Sequence, residues 1–277
     1  MGTLDGKVAF ISGIARGQGR SHALRLASEG TDIIGVDICH DIDSMDYPNA
    51  TPDDLAETTK LIEQLNRRVI TSEADVRDSV AVRHAIDSGV AELGRLDIVL
   101  SNAGIVRLHA DSDDPEQLWQ DIVGTNLTGG FHVVNAAVPH LIAGGRGGSI
   151  VITGSTAGVR PVANPGVGAL AYTASKWGLV GVCKQLAATL AEHSIRVNIV
   201  HPTGVASGMT MNAAMAELAE QAMAGGGANG MAAMQNAMPV QILQPADISD
   251  AIAFLVSDQA KWITGVSLPV DAGFSVR

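Results

Sequence analysis

Two residues one helical turn apart could together form an acid/base: Tyr172 and Lys176, in the stretch Tyr-Thr-Ala-Ser-Lys. Side chains four residues apart lie on one face of a helix. A free phenol has a pKa near ~10, too high for a base at neutral pH, but an adjacent fixed cation stabilises phenolate and lowers that pKa. The only other tyrosine, Tyr47, has no lysine at helical spacing. Taken alone, the pentapeptide favours a plainer interpretation, an aromatic beside a solvated lysine, so the rest of the chain must decide.

A glycine-rich turn follows the first predicted strand. The strand, residues 7–12, is short and apolar, and Gly13, Gly17 and Gly19 come next, before a predicted helix over about residues 19–29. Glycines in such a turn let backbone N–H groups and a helix N-terminus approach a pyrophosphate closely. The turn predicts a nucleotide site, although a lone glycine turn is weak evidence.

The second predicted strand, residues 32–36, ends in a carboxylate that bears on the choice of cofactor. Asp37 follows the glycines at the distance typical of a residue that accepts both ribose hydroxyls and repels a 2′-phosphate. Arg16 favours the opposite choice, since a cation in the glycine turn could meet that phosphate. The carboxylate lies where the ribose would be, so we predict NAD rather than NADP.

A polar, aperiodic segment over residues 38–51, the insert loop, separates Asp37 from the next predicted helix. Strand-to-helix loops in such sheets usually have about 2–6 residues, so a loop this long is either functional or merely tolerated. Thr51 is the expected N-cap, with Pro52 in the first turn. Because the insert loop directly follows Asp37, we expect it near the adenosine end of a bound nucleotide.

Strands alternate with helices throughout the chain. Further strands are predicted over residues 69–75, 96–101, 149–153, 195–200 and 267–271. This alternation predicts an α/β fold: a single Rossmann-type doubly wound domain over residues 1–277, with a seven-stranded parallel sheet and helices on both faces. Catalytic residues in open α/β sheets gather outside the carboxyl ends of the strands, where Ser155 would stand.

Asn126 lies within a long predicted helix, residues 116–142. Asparagine is a poor residue for a helix interior, so a kink with a specific role is plausible. An exposed asparagine is an equally good interpretation.

Residues 208–240 depart from the alternating pattern. Seven of the nine methionines fall here, around a glycine-rich stretch over residues 224–230. Methionine packs adaptably against irregular apolar shapes, which suits a mobile lid over a hydrophobic substrate. A helical hairpin that buries methionines in a subunit contact explains the segment equally well.

Composition excludes several classes of protein. A formal charge of −11 argues against a nucleic-acid partner, because phosphate binding draws on clustered Lys and Arg. The apolar runs are far shorter than the roughly 20 residues needed to span a bilayer, and a strand begins almost at once, unlike a signal peptide. Two cysteines and eight scattered histidines show neither a disulfide framework nor metal spacing. We therefore expect a cytoplasmic enzyme without a metal.

Taken together, these residues resemble the short-chain dehydrogenase/reductase family over essentially the full chain. The resemblance implies that Tyr172 is the general acid/base, that Lys176 lowers its pKa, that Ser155 orients the substrate oxygen and that Asn126 holds a water. The implied cofactor-binding residues are Gly13, Arg16, Gly17, Gln18, Gly19, Asp37, Ile38, Asp75, Val76, Asn102, Ala103, Gly104, Tyr172, Lys176, Val205 and Ser207. Ser12 replaces the family's usual threonine and keeps a hydroxyl.

Within that family the chain resembles the mycofactocin-coupled dehydrogenases, a subgroup that includes carveol dehydrogenases. The residues behind this are the stretch over 13–22, the insert loop with Tyr47, His201-Pro-Thr203 and the segment over 268–273. The resemblance implies that the insert loop covers NAD and hinders its exchange, with a redox peptide as electron acceptor. It also implies a homotetramer and a hydrophobic secondary alcohol or ketone as substrate, such as a terpene alcohol.

Two other functions fit the same fold. A 3-oxoacyl-carrier-protein reductase would use NADPH and need basic surface for an acidic carrier, and both Asp37 and the net charge count against it. A nucleotide-sensing regulator has no reason to keep Ser155, Tyr172 and Lys176 together.

Overall fold

The computed structural model describes residues 2–108, 112–161, 164–224 and 235–277, and their centre is a parallel sheet. Seven strands lie in the order β3-β2-β1-β4-β5-β6-β7. Every neighbouring pair is parallel. The strands are β1 (Val8–Ser12), β2 (Asp32–Asp37), β3 (Val69–Glu73), β4 (Ile98–Ser101), β5 (Gly148–Thr153), β6 (Ile195–Pro202) and β7 (Ser267–Val270). The predicted seven-stranded sheet is confirmed.

Helices cover both faces of the sheet. They are α1 (Gly17–Ser28), α2 (Pro52–Gln64), α3 (Ser79–Leu93), α4 (Pro115–Val123), α5 (Gly129–Gly144), α6 (Val167–Leu190), α7 (Ala213–Ala224) and α8 (Pro245–Val256). Successive side chains of β1 point to opposite faces of the sheet, and all of them are buried because helices cover both faces. Phe10 packs in the cluster with α3, α5 and α6, whereas Ile11 packs in the cluster with α1, α2 and α8.

The sheet has its topological switch point between β1 and β4. From β1 the chain builds outward through β2 and β3, and then returns to place β4 on the other side of β1. The turns that follow β1 and β4 therefore diverge and leave a crevice at the carboxyl ends of the strands, which is the usual ligand site of open α/β sheets.

Asn126 lies at a break in what the sequence predicted as one long helix. Helix α4 ends at Val123, a π-helical turn spans Gly124–Thr128, and α5 continues from Gly129. A π-turn carries one extra residue and reorients the side chains around it. Of the two interpretations of Asn126, the exposed asparagine is wrong: Asn126 is buried, within the π-turn that separates the two helices.

The segment over residues 208–240 is described only in part. Helix α7 occupies Ala213–Ala224, and residues 225–234, with most of the glycine-rich stretch, lie outside the described residues. The choice between a lid and a subunit contact therefore stays a prediction. Among the described residues, none of the helices combines the length and the apolar character that crossing a bilayer requires.

Candidate active site

In the glycine turn after β1, the backbone at Gly19 and the backbone after β4 both approach Gly13 closely. A Cβ atom on Gly19 would lie 1.8 Å from the Gly13 carbonyl oxygen. Gly13 has a φ of +70°, and a Cβ there would lie 2.9 Å from Cα of Ala103. Ser12 joins this turn to the turn after β4, because its Oγ accepts from the N–H groups of Asn102 and Ala103, at 3.0 and 3.1 Å. The hydroxyl at position 12 thus holds the two sides of the crevice together.

Asp37 lies at the carboxyl end of β2, on the wall of the crevice. Its carboxylate accepts a hydrogen bond of 2.8 Å from the N–H of Ala15, which fixes it beside the glycine turn. Burial raises the pKa of Asp37, and backbone hydrogen bonds, including that from Ala15, and the charge of Arg16 oppose this. A carboxylate held in this way can accept the hydroxyls of a ribose.

Between these turns lies an open cleft with about 890 Å³ of space that is partly continuous with solvent. Most of the predicted cofactor-binding residues line it: Gly13, Arg16, Gly17, Gln18, Gly19, Asp37, Ile38, Asp75, Val76, Asn102, Ala103, Gly104 and Ser207. Two buried oxygens of its lining, Gln18 Oε1 and Thr125 Oγ1, have no hydrogen-bond partner among the described residues. Bare glycine backbone, an acceptor carboxylate and unpaired polar atoms together fit a dinucleotide.

The insert loop crosses this cleft and is tied to both sides of it. Ile42, Tyr47, Asn49 and Ala50 line the cleft. On the glycine-turn side, the guanidinium of Arg16 donates to the Pro48 carbonyl. The start of α2 anchors the end of the loop with a capping box between Thr51 and Asp54, so the predicted N-cap is confirmed.

Hydrogen bonds and an ion pair attach the insert loop to the β4 side of the cleft as well. Arg107 donates to the Ser44 carbonyl at 2.9 Å and lies 3.7 Å from Asp46. The Tyr47 hydroxyl accepts from the N–H of Val106 at 3.2 Å. The loop therefore bridges the two halves of the sheet above the cleft.

Tyr172 and Lys176 lie one turn apart on α6, as their spacing predicted. The hydroxyl of Ser155, which follows β5, hydrogen-bonds the phenol of Tyr172. The Lys176 ammonium is buried, lies 5.4 Å from the centre of the Tyr172 ring and donates to the Thr153 carbonyl at 2.9 Å. Three of the four side chains predicted to be catalytic, Ser155, Tyr172 and Lys176, thus lie together.

The electrostatics of this group differ from the expectation based on spacing. Burial raises the pKa of Tyr172, and the hydrogen bond from Ser155 only partly opposes it. Burial also lowers the pKa of Lys176, to about 8. Lys176 directs its ammonium to a backbone carbonyl rather than to the phenol, so in this structure it does not produce the lowered phenol pKa that the sequence predicted.

Asn126 supports the floor of the site from the π-turn. Its Oδ1 accepts from the N–H of Ile105 and its Nδ2 donates to the Ile105 carbonyl, both at 2.8 Å. A Cβ on Gly104 would lie 3.0 Å from Asn126 Oδ1 and 3.6 Å from Lys176 Nζ. Asn126, Tyr172, Lys176 and Ser155 do not line the cleft itself; Gly104 is the point at which Asn126 and Lys176 adjoin it.

Val205 is the one predicted cofactor residue that lies away from both the cleft and the catalytic group. Its side chain is buried in the core, and it forms an isolated parallel bridge with Leu243. Conversely, several cleft residues were not among the predicted cofactor-binding residues: Ile42, Tyr47, Asn49, Ala50, Ala74, Ile105, Thr125, Gly208 and Met209. Only the length of the insert loop signalled some of these, because contacts across the cleft leave no local pattern.

Comparison with known proteins finds the same kind of molecule throughout. A family model described as short chain dehydrogenase matches residues 7–218. A (−)-trans-carveol dehydrogenase of Rhodococcus erythropolis is 42% identical over 281 residues, covering all of both chains. A carveol dehydrogenase of Mycobacterium avium, solved in complex with NAD, has a TM-score of 0.91 at 47% identity. A short chain dehydrogenase of Mycobacterium paratuberculosis bound to NAD has a TM-score of 0.93 at 41% identity. Both structures are covered completely, as is this chain.

Proposed function

The chain belongs to the short-chain dehydrogenase family, and we propose that it interconverts a hydrophobic secondary alcohol and its ketone while holding NAD tightly. It is an NAD-dependent oxidoreductase that acts on CH–OH groups. The observation that carries the proposal is the hydrogen bond between Ser155 and Tyr172, with buried Lys176 one turn further along α6. A terpene alcohol such as carveol is the substrate class we propose, on the strength of the carveol dehydrogenase relatives.

The proposed mechanism assigns one proton transfer to the phenol. In the reduction direction, the hydroxyls of Ser155 and Tyr172 would hold the substrate carbonyl oxygen, and Tyr172 Oη would donate its proton to that oxygen and become a phenolate. Oxidation would run the same transfer in reverse, with the phenolate of Tyr172 accepting the alcohol O–H proton. When bound, NAD supplies the hydride chemistry. Lys176 contributes positive charge beside the developing phenolate, and Asn126 fixes the floor through Ile105. Positioned proton transfer of this kind is typically worth ~10²–10⁴ in rate.

An apolar cluster next to Tyr172 supports a hydrophobic substrate. Ile105, Leu118 and Ala171 are buried there, with Tyr172 itself and Trp119 packed against them. Such a wall offers few partners to a charged substrate and suits an aliphatic ring. Asp37 disfavours NADPH, the cofactor that a 3-oxoacyl-carrier-protein reductase would use.

Substituting Tyr172→Phe tests the mechanism. We expect the rate of carveol oxidation to fall by about 10²–10⁴-fold, because the proton loses its acceptor. Tyr47→Phe is the matched control, because it removes the only other phenol of the chain. It should lower nucleotide retention and leave the rate of the chemical step unchanged. A Tyr172→Phe enzyme with full activity and an intact Ser155 would overturn the mechanism. Consumption of NADPH on an acyl thioester would favour the carrier-protein reductase instead.

The tethers of the insert loop support tight retention of NAD. Arg107 and Tyr47 hold the loop on the β4 side, and Arg16 holds it on the other, so a bound nucleotide could leave only after several contacts break. Mass spectrometry of the nucleotide released on denaturing extensively dialysed protein should give about one NAD per chain. Arg107→Met should lower that ratio, whereas Arg83→Met, an exposed arginine on α3, should not. A wild-type protein that is empty yet turns over with added NAD would contradict this.

Three further features are proposals that rest on the family resemblance. We propose a homotetramer, a cytoplasmic location and a redox peptide that accepts electrons from the tightly held cofactor. Assays with artificial electron acceptors test the last of these, since an enzyme that retains its cofactor needs another route for reoxidation. The expectation that residues 1–277 form one domain stays a prediction. So does the expectation that Asn126 holds a water.

A further inference from the structure

His201 is a buried histidine that no step of the proposed mechanism uses. It lies near the end of β6 and is fully inaccessible to solvent. Its ring joins two elements: Nδ1 lies 2.7 Å from the Ser155 carbonyl oxygen, and Nε2 lies 2.6 Å from Oγ of Ser267 on β7. The ring therefore spans the gap between the loop that carries Ser155 and the last strand of the sheet.

The partners of the ring fix its tautomer. A carbonyl oxygen can only accept, so Nδ1 carries the hydrogen and donates to Ser155. Nε2 is then the acceptor and takes the hydroxyl hydrogen of Ser267. The Ser155 N–H also lies 3.4 Å from Nδ1, but the much shorter carbonyl contact decides the assignment. Burial lowers the pKa of His201, the hydrogen bond to Ser155 and the charge of Asp271 oppose this, and Lys176 acts in the same direction as burial, so the ring is neutral at neutral pH.

Two glycines on either side of Ser155 make room for this ring. A Cβ on Gly154 would lie 2.7 Å from Nδ1 of His201, and a Cβ on Gly158 would lie 3.3 Å from Cε1. The Gly158 position would also approach the carbonyl oxygen of Lys176 at 2.9 Å. Bare backbone thus lets the ring, the Ser155 loop and helix α6 pack directly on one another.

We propose that His201 is a positioning residue for catalysis, which sets the place of the Ser155 hydroxyl relative to Tyr172 through its hydrogen bond to the Ser155 carbonyl. The inference rests on the role proposed above for Ser155. Ser155 Oγ is otherwise held by the N–H of Ala157 at 3.1 Å and by Tyr172, both of which depend on the backbone placement that His201 fixes. A displacement of about 1 Å at a reacting group can cost as much as ~10²-fold in rate.

Two amide substitutions separate positioning from bulk packing. In His201→Asn the amide nitrogen stands close to the place of Nδ1 and can still donate to Ser155. In His201→Gln it stands close to the place of Nε2, so the contact with Ser267 is kept and that with Ser155 is lost. We expect His201→Gln to lower kcat about 10- to 100-fold with little change in KM, and His201→Asn to restore most of the loss. A merely structural histidine would give two variants whose activity follows their thermal stability.

A double-mutant cycle distinguishes failure of this inference from failure of the proposed function. In a Ser155→Ala background, His201→Gln should cost little further activity, because the two residues act as one unit. Full additivity of the two losses would overturn the positioning role. If Ser155→Ala alone left activity unchanged, the proposed function of Ser155 would be wrong, and the inference with it.

The tautomer gives a readout that does not depend on activity. Nitrogen NMR of ¹⁵N-histidine-labelled protein, assigned by comparison with His201→Asn, should show a neutral ring protonated at Nδ1. Ser267→Ala should leave Nδ1–H in place and alter only the Nε2 resonance. A ring protonated at Nε2 in the wild-type protein would contradict the hydrogen bond to Ser155.

Discussion

Lys176 shows how far the chemistry of a single residue depends on its surroundings. The spacing from Tyr172 predicted their proximity, because a helix puts such residues side by side. It could not predict the sign of the pKa shift of Tyr172, since that depends on burial and on Ser155, which comes from another part of the chain. The proximity of these two side chains was therefore accessible from sequence, but their electrostatics were not.

The buried ammonium predicts a specific dependence of stability on pH. Burial lowers the pKa of Lys176 from 10.5 to about 8. Between those two values the unfolded chain binds more protons than the folded chain, so the stability contribution of this group rises with pH through that window. Below about pH 8 both states are charged, and the folded state carries the full cost of the buried charge.

Lys176→Met should therefore stabilise the nucleotide-free protein at neutral pH while abolishing activity. We expect a gain of about 1–3 kcal/mol, at most the equivalent of the pKa shift, reduced by the lost hydrogen bond to Thr153. Denaturant unfolding at several pH values measures it, with Lys184→Met on the same helix as the control. A loss of stability with an unchanged pH slope would show that the charge of Lys176 costs the fold nothing.

At the scale of elements, strands and helices were largely predictable, whereas the contacts between them were not. Parallel strands buried on both faces form continuous apolar runs, so the seven strands could be located to within a few residues. The π-turn was signalled only by a polar residue inside an apolar helix. Nothing local in the insert loop indicates that Arg107, more than 50 residues further along the chain, holds it in place.

The contact between α1 and α8 predicts sensitivity to acid. His22 on α1 is fully buried against Ser249 on α8, at 2.8 Å, and burial lowers its pKa from 6.5 to about 3. Its neutral form is required in the folded state, so its contribution to stability is complete above pH 6.5 and is lost as the pH falls from there toward 3.

His22→Asn should flatten the acid side of the stability curve. At about pH 5 the wild-type protein should have lost about 2 kcal/mol relative to neutral pH through this group alone, and the variant should escape that loss. Unfolding free energies between neutral and mildly acidic pH measure it. His84→Gln, at an exposed position on α3, should retain the wild-type slope. Identical slopes in all three proteins would mean that His22 is protonated without cost.

The whole molecule has an apolar patch that fits the proposed homotetramer. Met238 and Val276 are 61% and 83% exposed, and their backbones bond to neighbouring residues Ala272 and Gly273. Exposed apolar surface of this kind commonly marks a protein interface. Sequence alone could not locate it, because an apolar residue near a chain end has the same pattern whether it packs inward or outward.

Light scattering should give a mass about four times 28.6 kDa for the purified protein. Val276→Asp should lower that mass, because a carboxylate in an apolar contact is costly to desolvate. Val80→Asp, at another exposed valine but on α3, should not change it. A monomeric wild-type protein would contradict the proposed tetramer. An unchanged mass in both variants would show that this patch is not part of the interface.

An insert loop that is tied to both halves of the sheet also constrains steady-state kinetics. If the cofactor stays under that loop for many turnovers, one substrate must reduce it and a second must reoxidise it before the first can react again. Initial-rate plots against one substrate at fixed levels of the second should then form parallel lines, the pattern of a ping-pong enzyme. Lines that intersect would mean that the cofactor behaves as an ordinary exchanging substrate.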